Sequence, residues 1–192
     1  GQIQAQLYQL TRFLTEGLGA FGLPIFPIQT SSIVTLLKGR IHNCNLSTIH
    51  HYLDLGLIPL LSGVPCFDLD LGASILSGDQ LGAYLALEMK SPQLVHFTEV
   101  GAVYKGDPKK DPHAIIIPRI TEENWPEVSQ SLSGSSHVDV TGGMLGKIQE
   151  AFDLAQKGIP VLISPLGKLK EVLSGKRGTR IEKNGSVNKK NL

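Results

Sequence analysis

The sequence predicts an α/β fold, a mostly parallel sheet sandwiched by helices. Two observations carry this. Apolar runs of strand length alternate with segments of helical periodicity along most of the chain. Such alternation implies crossover units, which build parallel sheets covered on both faces. The composition is that of a globular chain, with 192 residues, 41% apolar and a net charge of +1.

The elements follow in order. Ile3, Leu7, Leu10, Leu14 and Leu18 recur at helical spacing, and Gly19 and Gly22 end that helix. The run at 23–28 is short and extended. Asn45 caps a helix that runs to about Leu55 and stops at Gly56. Residues 57–61 read as a buried strand, and 67–76 as a hairpin turning at Asp70–Gly72. A helix covers 78–89 and a strand 93–98. A charged loop with two prolines spans 104–114, and 114–120 is one further strand. A helix over 144–157, a strand over 159–164 and a short helix over 166–173 complete the pattern. From Lys183 the chain is a polar tail, expected to be disordered.

Several function classes are excluded. There is no basic excess to suit a nucleic acid. No run of 18 apolar residues exists to span a membrane. The start, "GQIQAQLYQL", lacks the charged and apolar regions of a signal peptide. Cys44 and Cys66 have no metal-type spacing and read as reduced thiols of a cytoplasmic protein.

Three stretches carry chemistry. In "SHVDVTGGMLGKI" (136–148) a β-branched run stops at two glycines, and a lysine stands four residues past the second. Glycines at a helix start let backbone N–H groups approach an anion. The helix end supplies unpaired donors and partial positive charge. Helical side chains lean toward that end, so Lys147 can swing over it. Gly142, Gly143 and Lys147 are therefore candidates for holding a phosphate. The order of a Walker A loop is absent. The alternative is a plain turn that starts a helix, with Lys147 solvated.

In "ILSGDQ" (75–80), Ser77 can cap a helix, Gly78 permits close approach and Asp79 lies in the first turn. A carboxylate there can orient lysines or a bound Mg²⁺; it can equally be part of a simple cap. In "VHFTEVGAVYKGDP" (95–108) a strand ends at Thr98, and a loop follows with Glu99 and Tyr104. Ligands of α/β folds sit at such strand ends.

In this order, the three stretches resemble the amino acid kinase superfamily, and within it most closely the isopentenyl phosphate kinases. "SLSGSSHVDVTGGMLGKI" (131–148) is similar to their serine-glycine loop leading into D-V-T-G-G-M-x-x-K. "SILSGDQLGAYLA" (74–86) is similar to their I-S-G-D-D/Q stretch, and "FTEVGAVYKGDP" to their T-D-V-D-G-V-Y-x-x-D-P loop. "GTRI" (178–181) resembles their closing strand. Two positions depart from the pattern: Val64 stands where an aspartate follows the glycine, and the glycine of the T-D-V-D-G stretch is shifted to Gly101.

The resemblance covers residues 1–182 as one kinase-like domain and leaves 183–192 as the tail. It implies transfer of the γ-phosphoryl of ATP to isopentenyl phosphate, with Mg²⁺. It implies that Asp79 is catalytic, that Gly78 meets the substrate phosphate, and that Thr98, Glu99 and Tyr104 border the nucleotide. Gly142, Gly143 and Lys147 would hold its phosphates. A small phosphate acceptor is then the partner, with no nucleic acid and no membrane, and a homodimer is expected at full length. The family opens with strands carrying K-L-G-G-S and G-G-G-x-x-G-H loops. Neither loop stands in these 192 residues, which are expected to be inactive alone. Two other readings stay open: a kinase of another small phosphate or phosphonate, and a non-catalytic nucleotide-binding or dimerisation module.

Overall fold

The structure, a computed structural model, describes residues 2–111, 113–133 and 143–185. They form two compact units, 1–81 and 82–192.

The first unit begins with helix α1 (Gln2–Gly19), none of whose residues is buried. Strands β1 (Ile25–Pro27) and β4 (Ile58–Leu60) pair in parallel. Strands β2 (Val34–Leu37), β3 (Arg40–Cys44), β5 (Pro65–Asp68) and β6 (Gly72–Ile75) make a mixed sheet in the order β3-β2-β5-β6. The two hairpins are antiparallel, and β2 meets β5 in parallel. Helix α2 (Leu46–Asp54) starts where Asn45 accepts the Ser47 N–H at 3.2 Å, the expected cap. Phe26 and Tyr52 stack with ring centroids 4.0 Å apart. Val34, Leu36, Ile49, Val64, Cys66 and Leu76 form the buried interior. Burial pushes the Cys66 thiol up to about 11, so it stays protonated at neutral pH. One expectation changes here. β4 is exposed to half-buried rather than buried, and among the described residues it pairs with β1 alone.

Helix α3 (Gly78–Glu88) crosses from the first unit into the second. There β7 (Leu94–Thr98), β10 (Arg119–Ile120), β11 (Val161–Pro165) and β12 (Thr179–Ile181) form a sheet in the order β10-β12-β11-β7. β11 runs parallel to β7 and antiparallel to β12, and β10 runs parallel to β12. β8 (Val103–Lys105) and β9 (Ile115–Ile117) form a separate hairpin. The single strand expected over 114–120 is thus divided at Pro118, which lacks the N–H a continuous ladder needs.

Helices α4 (Trp125–Ser133), α5 (Gly143–Gln156) and α6 (Leu169–Leu173) complete the unit. Its core joins Ile148, Ala151, Phe152 and Ala155 of α5 to Val161 and Ile163 of β11 and to Val128 and Leu132 of α4. Each such Ile, Val, Leu or Phe side chain contributes about 1.5–3 kcal/mol by leaving water, and each alanine less. Trp125 stacks on Phe152 at 4.3 Å and 10°. Among the described residues, no helix is long and apolar enough to cross a membrane.

Candidate active site

Each unit holds some of the residues that the sequence singles out. In the first, Gly78 and Asp79 open α3, where Ser77 Oγ accepts the Gln80 N–H at 3.1 Å. This is the cap the sequence implies. Asp79 is half-buried beside the positive end of the helix. Alongside runs the segment 62–64. Thr30, 1% exposed, accepts the Ser62 N–H at 3.2 Å, and Val64 O accepts the Leu76 N–H at 3.0 Å. A Cβ on Gly63 would stand 2.5 Å from Gly78 N and 2.7 Å from Leu76 O, both backbone atoms. Only glycine fits there. A Cβ on Gly78 would meet nothing nearer than Gly63 N at 4.0 Å, so Gly78 is open toward a ligand. Val64 is buried in the interior and offers no carboxylate to this site.

In the second unit, Thr98 ends β7, and its hydroxyl accepts the Gly101 N–H at 2.9 Å. Gly101 has a φ of +75°, and a Cβ there would fall 2.5 Å from the Pro165 ring at the end of β11. The shifted glycine is thus the residue this turn requires. The Tyr104 hydroxyl donates to Val100 O at 3.3 Å. Glu99 is exposed and pairs with Lys109 at 2.8 Å. The Lys109 ammonium holds the Glu99 carboxyl below its usual range, and Glu99 in turn raises Lys109. Glu99 therefore braces the 99–109 loop.

A cleft of about 1590 Å³ lies beside this turn. Val100, Gly101, Tyr104, Pro165 and the loop Leu173–Thr179 line it, and Leu162 reaches it from the sheet. Strand alternation explains that last contact, since Val161 and Ile163 face the core. The lining runs along the sheet from Pro92, Gln93 and Pro160, before β7 and β11, to Gly101 and Pro165, and the latter pair stands at the edge where α/β sheets bear ligands. Its wall is held by Thr179, 1% exposed, whose hydroxyl donates to Ile117 O at 2.7 Å and accepts the Val103 N–H at 2.8 Å. Arg177 and Lys176 bring positive charge, Arg177 paired with Glu171 at 2.6 Å.

Of the residues the sequence singled out in this unit, Tyr104 lines the cleft, while Thr98 and Glu99 support it from the adjoining turn. Gly143 opens α5 with a φ of +57°, and Lys147 is half-buried one turn later. Gly142 and the rest of the serine-glycine loop, 134–142, lie outside the described residues. Sequence reasoning missed Gly101 as a cleft residue, together with Pro165 and Gly178. Their local signals are two isolated glycines and a Ser-Pro pair.

The sequence matches the amino acid kinase family over residues 4–164. It is 36% identical to the isopentenyl phosphate kinase of Methanothermobacter thermautotrophicus over 180 residues, covering 90% of this chain and 66% of that protein. It is 32% identical to the isopentenyl phosphate kinase of Arabidopsis thaliana, covering 77% of this chain and 47% of that protein. A crystal structure of an isopentenyl phosphate kinase superposes with a TM-score of 0.76 at 32% identity, covering 93% of this chain and 67% of that one. The chain thus spans from about half to about two thirds of the length of these curated relatives.

Proposed function

The chain belongs to the amino acid kinase family, and from that premise we propose that it serves an ATP-dependent phosphotransferase whose acceptor is isopentenyl phosphate and whose product is isopentenyl diphosphate. The observation that carries the reading is the cleft at the ends of β7 and β11, walled by the Gly101 turn and the Leu173–Thr179 loop. The relatives named above supply the acceptor.

The residues divide the work. The Gly143 amide and the Lys147 ammonium hold the donor phosphates at the positive end of α5, and Gly142 belongs to the same proposed set. Tyr104 borders the nucleotide, with Thr98 and Glu99 fixing the turn beside it. Gly78 admits the acceptor phosphate to the start of α3, and Asp79 fixes the cations that gather around the transferred group. Transfer is in line. An acceptor phosphate oxygen forms a bond to the γ-phosphorus while the bond to the β–γ bridging oxygen breaks, and that oxygen leaves with ADP. Mg²⁺, when bound, neutralises charge on the phosphates. No group of three His, Cys, Asp or Glu suited to a metal stands among the described residues. A Mg²⁺ that arrives with ATP would keep most of its waters, with Asp79 as the candidate carboxylate. A homodimer and a cytoplasmic location belong to the same proposal.

The test is ADP release by the protein at its full natural length, with ATP, Mg²⁺ and a panel of small monophosphates and phosphonates. Turnover greatest with isopentenyl phosphate is expected. Turnover greatest with another acceptor would move the assignment to that substrate. Nucleotide binding with no turnover on any of them would favour a binding module.

A further inference from the structure

Gln80, one residue beyond Asp79, is 8% exposed and makes three hydrogen bonds. Its N–H donates to the cap, Ser77 Oγ, at 3.1 Å. Its side-chain oxygen accepts the Ile41 N–H at 2.9 Å, and its side-chain nitrogen donates to Gly39 O at 3.1 Å. β3 is an edge strand, and within its turn Leu37 pairs with Arg40. Gly39 O and the Ile41 N–H are therefore the neighbouring groups that the edge leaves unpaired. The carboxamide of Gln80 fills that gap as a further peptide group would, giving one donor and one acceptor.

The turn it grips is held independently from below. The Asp68 carboxylate, 1% exposed, accepts the Lys38 N–H at 3.1 Å and the Gly39 N–H at 2.7 Å. Both residues of that turn are in the left-handed region, with φ of 52° and 76°. Lysine adopts it only under constraint. The turn is thus a fixed object, and Gln80 fastens the first turn of α3 to it.

We propose that Gln80 is a positioning residue that sets the register of Gly78 and Asp79 through its paired hydrogen bonds to β3, an inference that rests on the assignment of Asp79 above. Glutamine is required there because it donates and accepts at once. Ionised glutamate would accept from Ile41 but face Gly39 O with a second acceptor. Protonated glutamate would restore the pair.

The test compares wild type, Gln80→Glu, Gln80→Ala and Asp79→Asn at full natural length. Three readouts are taken: kcat and KM with isopentenyl phosphate from pH 5 to 8, the thermal midpoint, and amide exchange at residues 78–81. The expected result is a Gln80→Glu to wild-type kcat ratio near one in acid that falls about ten- to a hundredfold as the glutamate ionises, the scale of a misplaced catalytic group, with the KM for ATP held. Gln80→Ala should lose kcat at every pH and exchange faster at 78–81. A flat ratio, or a Gln80→Ala protein that melts lower but keeps its kcat per folded molecule, would overturn the proposal. If wild type shows no transfer, or Asp79→Asn keeps its full rate, the active-site assignment fails instead. Amide exchange then decides Gln80 alone: faster exchange in Gln80→Ala supports the anchor, and unchanged exchange refutes it.

Discussion

Asp68 accepts hydrogen bonds from the backbone of Lys38, Gly39, Asp70 and Leu71 and from the Ser74 hydroxyl. Burial alone would raise its carboxyl, but these donors outweigh it and hold the group well below the usual carboxylate range. A depressed folded-state value means that the unfolded chain binds the proton first as pH falls. The stabilisation is complete above an unfolded value of about 3.9 and is lost progressively below it. Asp68→Asn should therefore melt lower than wild type at pH 6, and the gap should narrow as pH falls from 4 toward 2. Thermal midpoints across that series are the measurement. Asp79 calls for a different comparison. The cap of α3 is Ser77, so Asp79→Asn leaves it in place and keeps the side chain's shape while removing its charge. Asp79→Asn should hold its thermal midpoint and lose about two or more powers of ten in kcat. A sharp fall in midpoint with the rate per folded molecule intact would make Asp79 structural.

At the scale of elements, α5 joins the core to the end proposed to hold phosphates. Ile148, Ala151, Phe152 and Ala155 bury its inner face, so Gly143 and Lys147 ride on a fixed helix. Lys147→Ala should weaken ATP binding by roughly 1–3 kcal/mol, the range for a charge-assisted contact; titration calorimetry checks it. The helix was legible because its apolar residues recur at helical spacing and two glycines precede it. The same holds for α1, for α2 with its Asn45 cap, and for the Ser77 cap of α3. The β2–β3 hairpin was not legible. Its turn is Lys38-Gly39 rather than Asn-Gly, and what holds lysine there is Asp68, thirty positions away. Helix α4 escaped notice because its buried residues, Val128 and Leu132, are too few to mark a period. In the site, Gly78, Asp79 and Tyr104 stood in readable motifs. The demands on Gly63 and Gly101 come from Leu76–Gly78 and Pro165, which the fold brings against them. No local pattern records such an approach.

At the scale of the molecule, burial is unevenly shared. The largest connected core lies within residues 82–192, while α1 buries no residue at all. Opening free energies follow buried contact and hydrogen-bond shielding. Amide exchange should therefore be slowest in β11, where Val161, Leu162, Ile163 and Ser164 are all buried, and fastest among the helices in Gln2–Gly19. Slow exchange throughout α1 at full natural length would mean that its outer face is covered there.

Trp125 is the sole tryptophan of the sequence, and it is stacked on Phe152 in the second unit. Its fluorescence is therefore a label that the chain carries by itself, placed in the second unit. An emission-monitored melt follows the second unit, whereas far-ultraviolet circular dichroism sums over both. If the two curves separate on one sample, the units unfold in separate steps. Because Phe152 lies on α5, the helix that begins at Gly143, a change in emission on adding ATP would offer a label-free binding signal from a protein with nothing attached.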